Sequence, residues 1–318
     1  MVLVTPNAQK RVLADLGFPD PHNVNDRTSV ADLYKPGKRC GIYVLHFETG
    51  EHYAGQAVDV TRRYCQHRQT HGDIVGISFK PAPENNLDDE EKTVVWTLEE
   101  KGFKLRNIAL TSIPKGESDF DQIMSEADQE RWLHDFAFID KSGPRLSAPD
   151  LRRKYHRKYK RLMNMPHATE IVQVLRTYVQ LGIPAIRRGE LDFWSVSCLP
   201  NKPVYARINI YWQEVCTPHI YKEDPWFAFQ IAKSPLDELS RVEKLIFSIR
   251  HKIKYGPTKY KHGGPDQIQL FVPLHHVEGF IENSTILAGI RLFNLRLMKK
   301  GPNVNARSHC MDLADNLV

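Results

Sequence analysis

The chain has 318 residues, 41% hydrophobic and 26% charged, enough apolar content for a sizeable core in two domains or one large one. It has no apolar run long enough to span a membrane and no N-terminal signal peptide, so a cytoplasmic protein without a membrane partner is expected. The net charge of +6 and pI near 8.9 are too mild to establish a nucleic-acid partner by themselves.

Residues 1–37 read as an irregular or partly helical N-terminal arm. Residues 41–47 (GIYVLHF) have the composition of a strand, and 52–57 supply a partner. Between them Glu48-Thr49-Gly50 makes a three-residue hairpin loop whose last residue takes the left-handed conformation. That loop sets Leu45 opposite Tyr53 and Tyr43 opposite Gly55, so the two tyrosines share a surface. A two-residue turn would put them on opposite faces. Asp59 reads as the N-cap of a helix over about 60–70, on which Arg63 and His67 stand one turn apart. A forked guanidinium suits a phosphate, and an imidazole can donate to an oxygen or move a proton. A third strand is expected over about 74–79. A helix with an acidic start at Leu87-Asp88-Asp89-Glu90-Glu91 follows and stops near Gly102. Glu91, Val94, Val95 and Leu98 share one face of it, so a carboxylate opens the apolar stripe, which is costly without a partner. A further helix over 125–133 carries Glu126 and Glu130, read as its solvated face.

A Pro/Gly/Ser segment over 141–149 reads as a domain boundary, dividing 38–145 from 146–318. The run LRRKYHRKYKRLM over 151–163 has seven Lys or Arg and no acid. As a helix it would carry Arg152, Arg153, Lys154, Arg157, Lys158 and Arg161 along a cationic surface able to follow phosphates; a solvated interdomain helix is the equal alternative. Beyond it, Val204 to Trp212 alternates, with Val204, Ala206, Ile208, Ile210 and Trp212 inward and Tyr205, Arg207, Asn209 and Tyr211 outward. Strands are expected at 193–199, 226–231 and 268–274. Leu239, Val242, Ile246, Ile249 and Ile253 trace a helical stripe, residues 254–264 form a basic loop, and a last helix covers 286–298. This half reads as an α+β domain. The five cysteines show no CxxC spacing, and with the scattered histidines they indicate reduced thiols rather than a zinc site.

Gly41-Ile42-Tyr43, Tyr53-Ala54-Gly55, Arg63 eight residues after Gly55, Glu91-x-x-Val94-Val95 and Leu105-Arg106-Asn107 together resemble the catalytic core of the GIY-YIG endonucleases. The resemblance covers about residues 38–110, with alanine in place of the middle isoleucine of the second motif. It implies an α+β fold with a small antiparallel sheet flanked by helices. It also implies a DNA endonuclease that uses Mg²⁺ or Mn²⁺ on a double-stranded substrate. By the same resemblance Tyr43, Tyr53, Arg63, His67, Glu91 and Asn107 are the catalytic residues. Glu91 becomes the metal ligand with Glu130 as runner-up, and Gly55 and Arg62 join the basic run as nucleic-acid contacts. A restriction or anti-phage role is expected by analogy. A ligand-gated effector nuclease, a non-cleaving binding protein on the same fold, and a homodimer stay open.

Overall fold

The computed structural model describes residues 5–221, 224–257 and 260–318. The chain divides into two compact units, up to Lys115 and from Gly116. The protein is α+β, with one antiparallel sheet in each unit.

In the first unit the elements are α1 (Pro6–Asp15), β1 (His22–Asn23), β2 (Gly41–Phe47), β3 (His52–Ala57), α2 (Val60–Thr70), β4 (Ile74–Pro81) and α3 (Leu87–Glu100), and the strands lie in the order β1-β4-β2-β3. Strand alternation sends Ile42, Val44 and Ala54 to a core built with Val94, Val95 and Leu98 of α3. Tyr43, Leu45 and Phe47 point to the other face and pack with Val60 and Tyr64 of α2. Residues of the N-terminal arm complete both cores: Leu13 and Phe18 join the first, and Val24, Val30 and Tyr34 the second. The three-residue loop forms as its glycine predicts. Gly50 has φ of 76°, and the register pairs Tyr43 with Gly55 and Leu45 with Tyr53.

The second unit contains α4 (Glu126–His134), α5 (Pro149–Met163), α6 (Ala168–Gly182), β5 (Trp194–Cys198), β6 (Ala206–Ile210), β7 (Gln213–Tyr221) and β8 (Asp224–Ile231). It continues with α7 (Ser234–Asp237), α8 (Arg241–Arg250), β9 (Lys254–Gly256), β10 (Ile268–Pro273), α9 (Leu274–Ile281), α10 (Ser284–Met298) and α11 (Met311–Ala314). Its sheet runs β5-β6-β7-β8-β10-β9. Phe227, Phe229, Leu270 and Val272 face a core shared with Tyr178 of α6 and Phe293 of α10.

The units part at 115/116, ahead of the Pro/Gly segment at 141–149. The reason lies in α4, whose Trp132 is fully buried in the second core. Arg291 of α10 stacks on Trp132 at 4.6 Å and donates to the carbonyls of Trp132, Asp135, Phe136, Phe138 and Leu181. It is completely buried, and burial draws its pKa down to about 10, so it stays charged at neutral pH.

Three expectations for this unit change. Trp212 is 54% exposed rather than inward, because Tyr211 adopts φ of 54° and ends the strand alternation one residue earlier. Tyr205 is buried in the main core, and Asn209 is buried as well. The middle of the stripe turns away from the core: Val242, Leu245, Ile246 and Ile249 are 60–69% exposed, while Leu239 and Ile253 at its ends pack against the core, as does the neighbouring Phe247, against Phe280. Residues 258 and 259 of the basic loop lie outside the described residues. All five cysteines are free thiols.

Replacing Arg291 leaves several buried carbonyls unpaired at about 1–3 kcal/mol each. Arg291→Met is therefore expected to lower unfolding free energy by at least about 3 kcal/mol, read as a drop in the urea midpoint. A loss under 1 kcal/mol would show that this arginine does not tie α4 to α10.

Candidate active site

Strands β2 and β3 bring two phenols side by side. The Tyr43 and Tyr53 rings stack with centroids 6.3 Å apart and planes inclined by 26°. Gly55 lies opposite Tyr43. A Cβ there would sit 2.5 Å from the Tyr43 hydroxyl oxygen and 2.9 Å from Tyr53 Cε1, so only glycine lets the strand pass beneath both rings.

Helix α2 supplies the nitrogen groups. Asp59 Oδ1 accepts from the backbone N–H of Thr61 and Arg62 and fixes the first turn. One and two turns on, Arg63 and His67 meet the same phenol. The Tyr43 hydroxyl lies 2.7 Å from His67 Nε2, and Arg63 Nε donates to it at 3.3 Å. Arg63 Nη1 also donates to Gln66 Oε1, and the His67 ring lies 4.8 Å from that of Tyr53.

Protonation states follow from burial. Burial pulls the His67 pKa down to about 4, with the Arg63 and His71 charges acting in the same direction. The imidazole is therefore neutral at pH 7 with one ring proton; because Arg63 Nε already donates to the phenol oxygen, the tautomer protonated at Nδ1 leaves Nε2 to accept from the phenol. Burial drives the Tyr43 phenol the other way, well above its usual range, with Tyr53 and Glu91 reinforcing the shift and Arg63 opposing it. Arg63 does favour the phenolate, yet burial outweighs it. Tyr43 thus keeps its proton and donates it to His67. Tyr53 is raised by burial first and by Glu91 second.

Glu91 reaches this site from α3. The Gln56 side-chain amide, one residue after Gly55, donates to Glu91 Oε2 at 3.0 Å and to Asp88 Oδ1 at 2.6 Å. Two carboxylates one helical turn apart thus converge on a single point. Hard oxygen donors of this kind suit Mg²⁺ or Mn²⁺, which take one or two carboxylates and fill the remaining positions with water and substrate oxygens. The donor set fits the ion. Among the described residues no cluster of three or more His, Cys, Asp or Glu is positioned to hold a metal.

Asn107 acts on the backbone. Its Nδ2 donates to Ala54 O at 2.7 Å and its Oδ1 accepts from Ala54 N at 3.0 Å, while the side chain is buried. It clamps the edge of β3 directly before Gly55. Glu130 is exposed on α4 of the second unit and pairs with His134 at 2.9 Å. Arg62 is exposed on α2.

The basic run does form a helix, α5, yet not all its cations face solvent unpaired. Arg152 pairs with Asp312 and Asp315, Arg153 with Asp150, and Lys158 Nζ donates to Leu199 O. Lys154 lies 5.0 Å over the Tyr155 ring, and Arg157 and Arg161 are exposed. Sequence reading missed Asp88 and Gln56. The signal for Asp88 was its i, i+3 spacing to Glu91; for Gln56 it was the place after the paired glycine, which no pattern marks as polar contact.

No family model, no curated protein and no solved structure matches this chain.

Gly55→Ala forces an overpacked strand beneath both rings, at a cost of about 1–3 kcal/mol. It is expected to part Tyr43 from His67, admit water, and raise the His67 pKa from about 4 toward the usual 6.5. Imidazole proton NMR titration reads this directly. An unchanged titration would mean that the glycine does not hold the pair.

Proposed function

We propose that the protein is a divalent-metal-dependent DNA endonuclease of the GIY-YIG type. One observation carries the reading: a buried phenol hydrogen-bonded to a neutral imidazole Nε2 and to a guanidinium, with the Glu91 charge close enough to raise both phenols. A structural tyrosine does not need two such partners beside a glycine that leaves room for nothing else.

The residues divide the chemistry as follows. Water attacks the phosphorus in line with the leaving oxygen, and its proton passes to the Tyr43 oxygen as the Tyr43 proton moves to His67 Nε2. Tyr43 acts through this relay because burial makes it a poor base on its own. Arg63 stabilises charge on the phenol oxygen and on the phosphoryl oxygens as it develops. Tyr53 orients the water or the phosphate. Glu91, with Asp88, would hold Mg²⁺ or Mn²⁺, which when bound supplies Lewis-acid charge at the phosphoryl and leaving oxygens. Gln56 keeps the two carboxylates together, and Asn107 keeps β3 in register. Arg62, Gly55 and the exposed cations Lys154, Arg157 and Arg161 are the candidate contacts to the DNA backbone, and they contribute a salt-dependent attraction. A restriction or anti-phage role suits a nuclease unit joined to a second unit that selects the substrate.

Supercoiled plasmid, modified phage DNA and single-stranded DNA, each with Mg²⁺ or EDTA, test the reading. Cutting is expected with Mg²⁺ alone, abolished by Glu91→Ala, kept by Glu130→Ala, and slowed by about 10²–10⁴-fold in Tyr43→Phe. Cutting in EDTA, or full activity of Glu91→Ala, would sink the assignment. The acid limb follows from His67: its pKa lies below the usual 6.5, so neutral imidazole persists as pH falls and kcat/KM declines only near pH 4. A decline centred near 6.5 would remove His67 from the relay.

A further inference from the structure

The six-stranded sheet also turns side chains away from its helical core. Phe227, Phe229, Leu270 and Val272 point to the helical core, so strand alternation turns Ala228, Gln230, Gln269 and Phe271 to the opposite side. Gln230 and Gln269 are cross-strand partners on β8 and β10 and therefore share that side. They line a cavity of about 260 Å³ with Glu214, Thr217 and His219 of β7, Tyr260 and Phe271.

The polar groups in this cavity are not satisfied by the protein. Gln230 is 3% exposed, yet neither its amide nitrogen nor its amide oxygen has a hydrogen-bond partner. Gln269 is 9% exposed, and its Oε1 also lacks one. Folded proteins pair nearly all such groups, so two unmet amides side by side in one pocket need a reason. Glu214 is anchored instead: Arg207 Nε lies 2.8 Å from its Oε1, Thr217 donates to Oε2 at 3.3 Å, and the Tyr260 hydroxyl is hydrogen-bonded to it. A carboxylate has about four acceptor positions, which leaves about one for a ligand.

This lining describes its ligand. Among the described residues the lining holds one carboxylate, one imidazole (His219) and neither Lys nor Arg, so a neutral hydrogen-bonding ligand suits the interior better than a phosphate. The volume is smaller than the ~300–1,000 Å³ of sites for drug-sized ligands, and suits one ring system. A planar amide pairs two-pointed with a donor–acceptor edge, a carboxylate accepts from an exocyclic amine, and Phe271 and Tyr260 offer aromatic surface. We propose that this pocket binds a nucleobase whose exocyclic amine sits beside a ring-nitrogen acceptor on its Watson–Crick edge, cytosine or adenine, with Gln230 reading that edge and Glu214 accepting from the amine. The base comes either from a nucleotide turned out of DNA or from a free nucleoside, and both present the same edge. Base binding does not depend on cleavage, so it stands or falls apart from the nuclease reading.

Calorimetric titration of the full chain with 2′-deoxycytidine, 2′-deoxyadenosine, thymidine and 2′-deoxyguanosine, and with 12-mer single strands of dC, dA and dT, tests it. The Glu91→Ala protein serves throughout, so that strands stay intact. The cytosine and adenine nucleosides or strands are expected to bind at least tenfold tighter than thymidine, 2′-deoxyguanosine or the dT strand. Gln230→Leu is expected to erase that preference while raising Tm, because it removes an unmet buried amide; Gln269→Leu is the second variant should the first not fold. Preference among free nucleosides would make the ligand a free nucleoside or nucleotide, and preference among strands alone would make it a base in DNA. Absence of preference in both series, or a preference unchanged in both folded variants, overturns the proposal.

Discussion

The pairing of Tyr43 with Gly55 is the constraint on which the first unit's chemistry depends. A hairpin register can shift only by whole residues, and a shift by one turns every side chain to the other face. Here the shift is prevented by a loop of three residues closed at Gly50, whose positive φ a β-carbon would resist. In that register Tyr43 stands over a residue without a side chain, and the space left empty is filled by the two phenol rings. Asn107 adds a second restraint through two hydrogen bonds to Ala54, worth about 0.5–1.5 kcal/mol each and placed on the strand that would have to slide. Arg63 and His67 then need only the helix geometry of α2 to arrive at the same hydroxyl.

Burial sets the protonation states of this cluster. In water a phenol and an imidazole differ by about 3.5 pKa units. Inside the unit both are disfavoured in their charged forms, so the phenol rises and the imidazole falls, and the gap widens. The resting state is then a neutral pair with its proton on oxygen. Moving that proton creates two charges in a poorly solvated place, and this is affordable only when a guanidinium and an approaching substrate stabilise them. The pair is therefore neutral while the site is empty.

The first unit was largely legible because its signals are local. Gly50 announces the loop, Asp59 the cap, and the alternation of 41–47 the two faces, each within a few residues of its consequence. Asp88 and Gln56 were not, since their meeting joins a strand to a helix more than thirty residues on. In the second unit the alternation through Trp212 misled because nothing in the sequence marks Tyr211 for the left-handed region. Strand β7 went unread for a different reason. Its Pro218 ordinarily argues against a strand with neighbours on both sides, yet here that residue pairs with Phe227 in β8, and its carbonyl accepts from Tyr205 N. The boundary at 115/116 was hidden because Trp132 looks like any helix tryptophan until Arg291, over 150 residues later, packs on it.

The distribution of charge gives the net +6 its meaning. Helix α5 has a cation-rich sequence, but Asp312 of α11 and Asp315 just after it neutralise part of that charge in holding the two helices together. A residue already paired with two carboxylates releases no counterion to DNA unless those pairs break, so Arg152 contributes to folding before it contributes to binding. Arg157 and Arg161 stand two and one turns from the end of the same helix, exposed, where a phosphate would not have to displace a partner. The salt dependence of any DNA affinity should thus be shallower than a count of seven basic residues in the run implies. A steep slope would require the α5–α11 pairs to open on binding, and the second unit would then change its packing when DNA arrives.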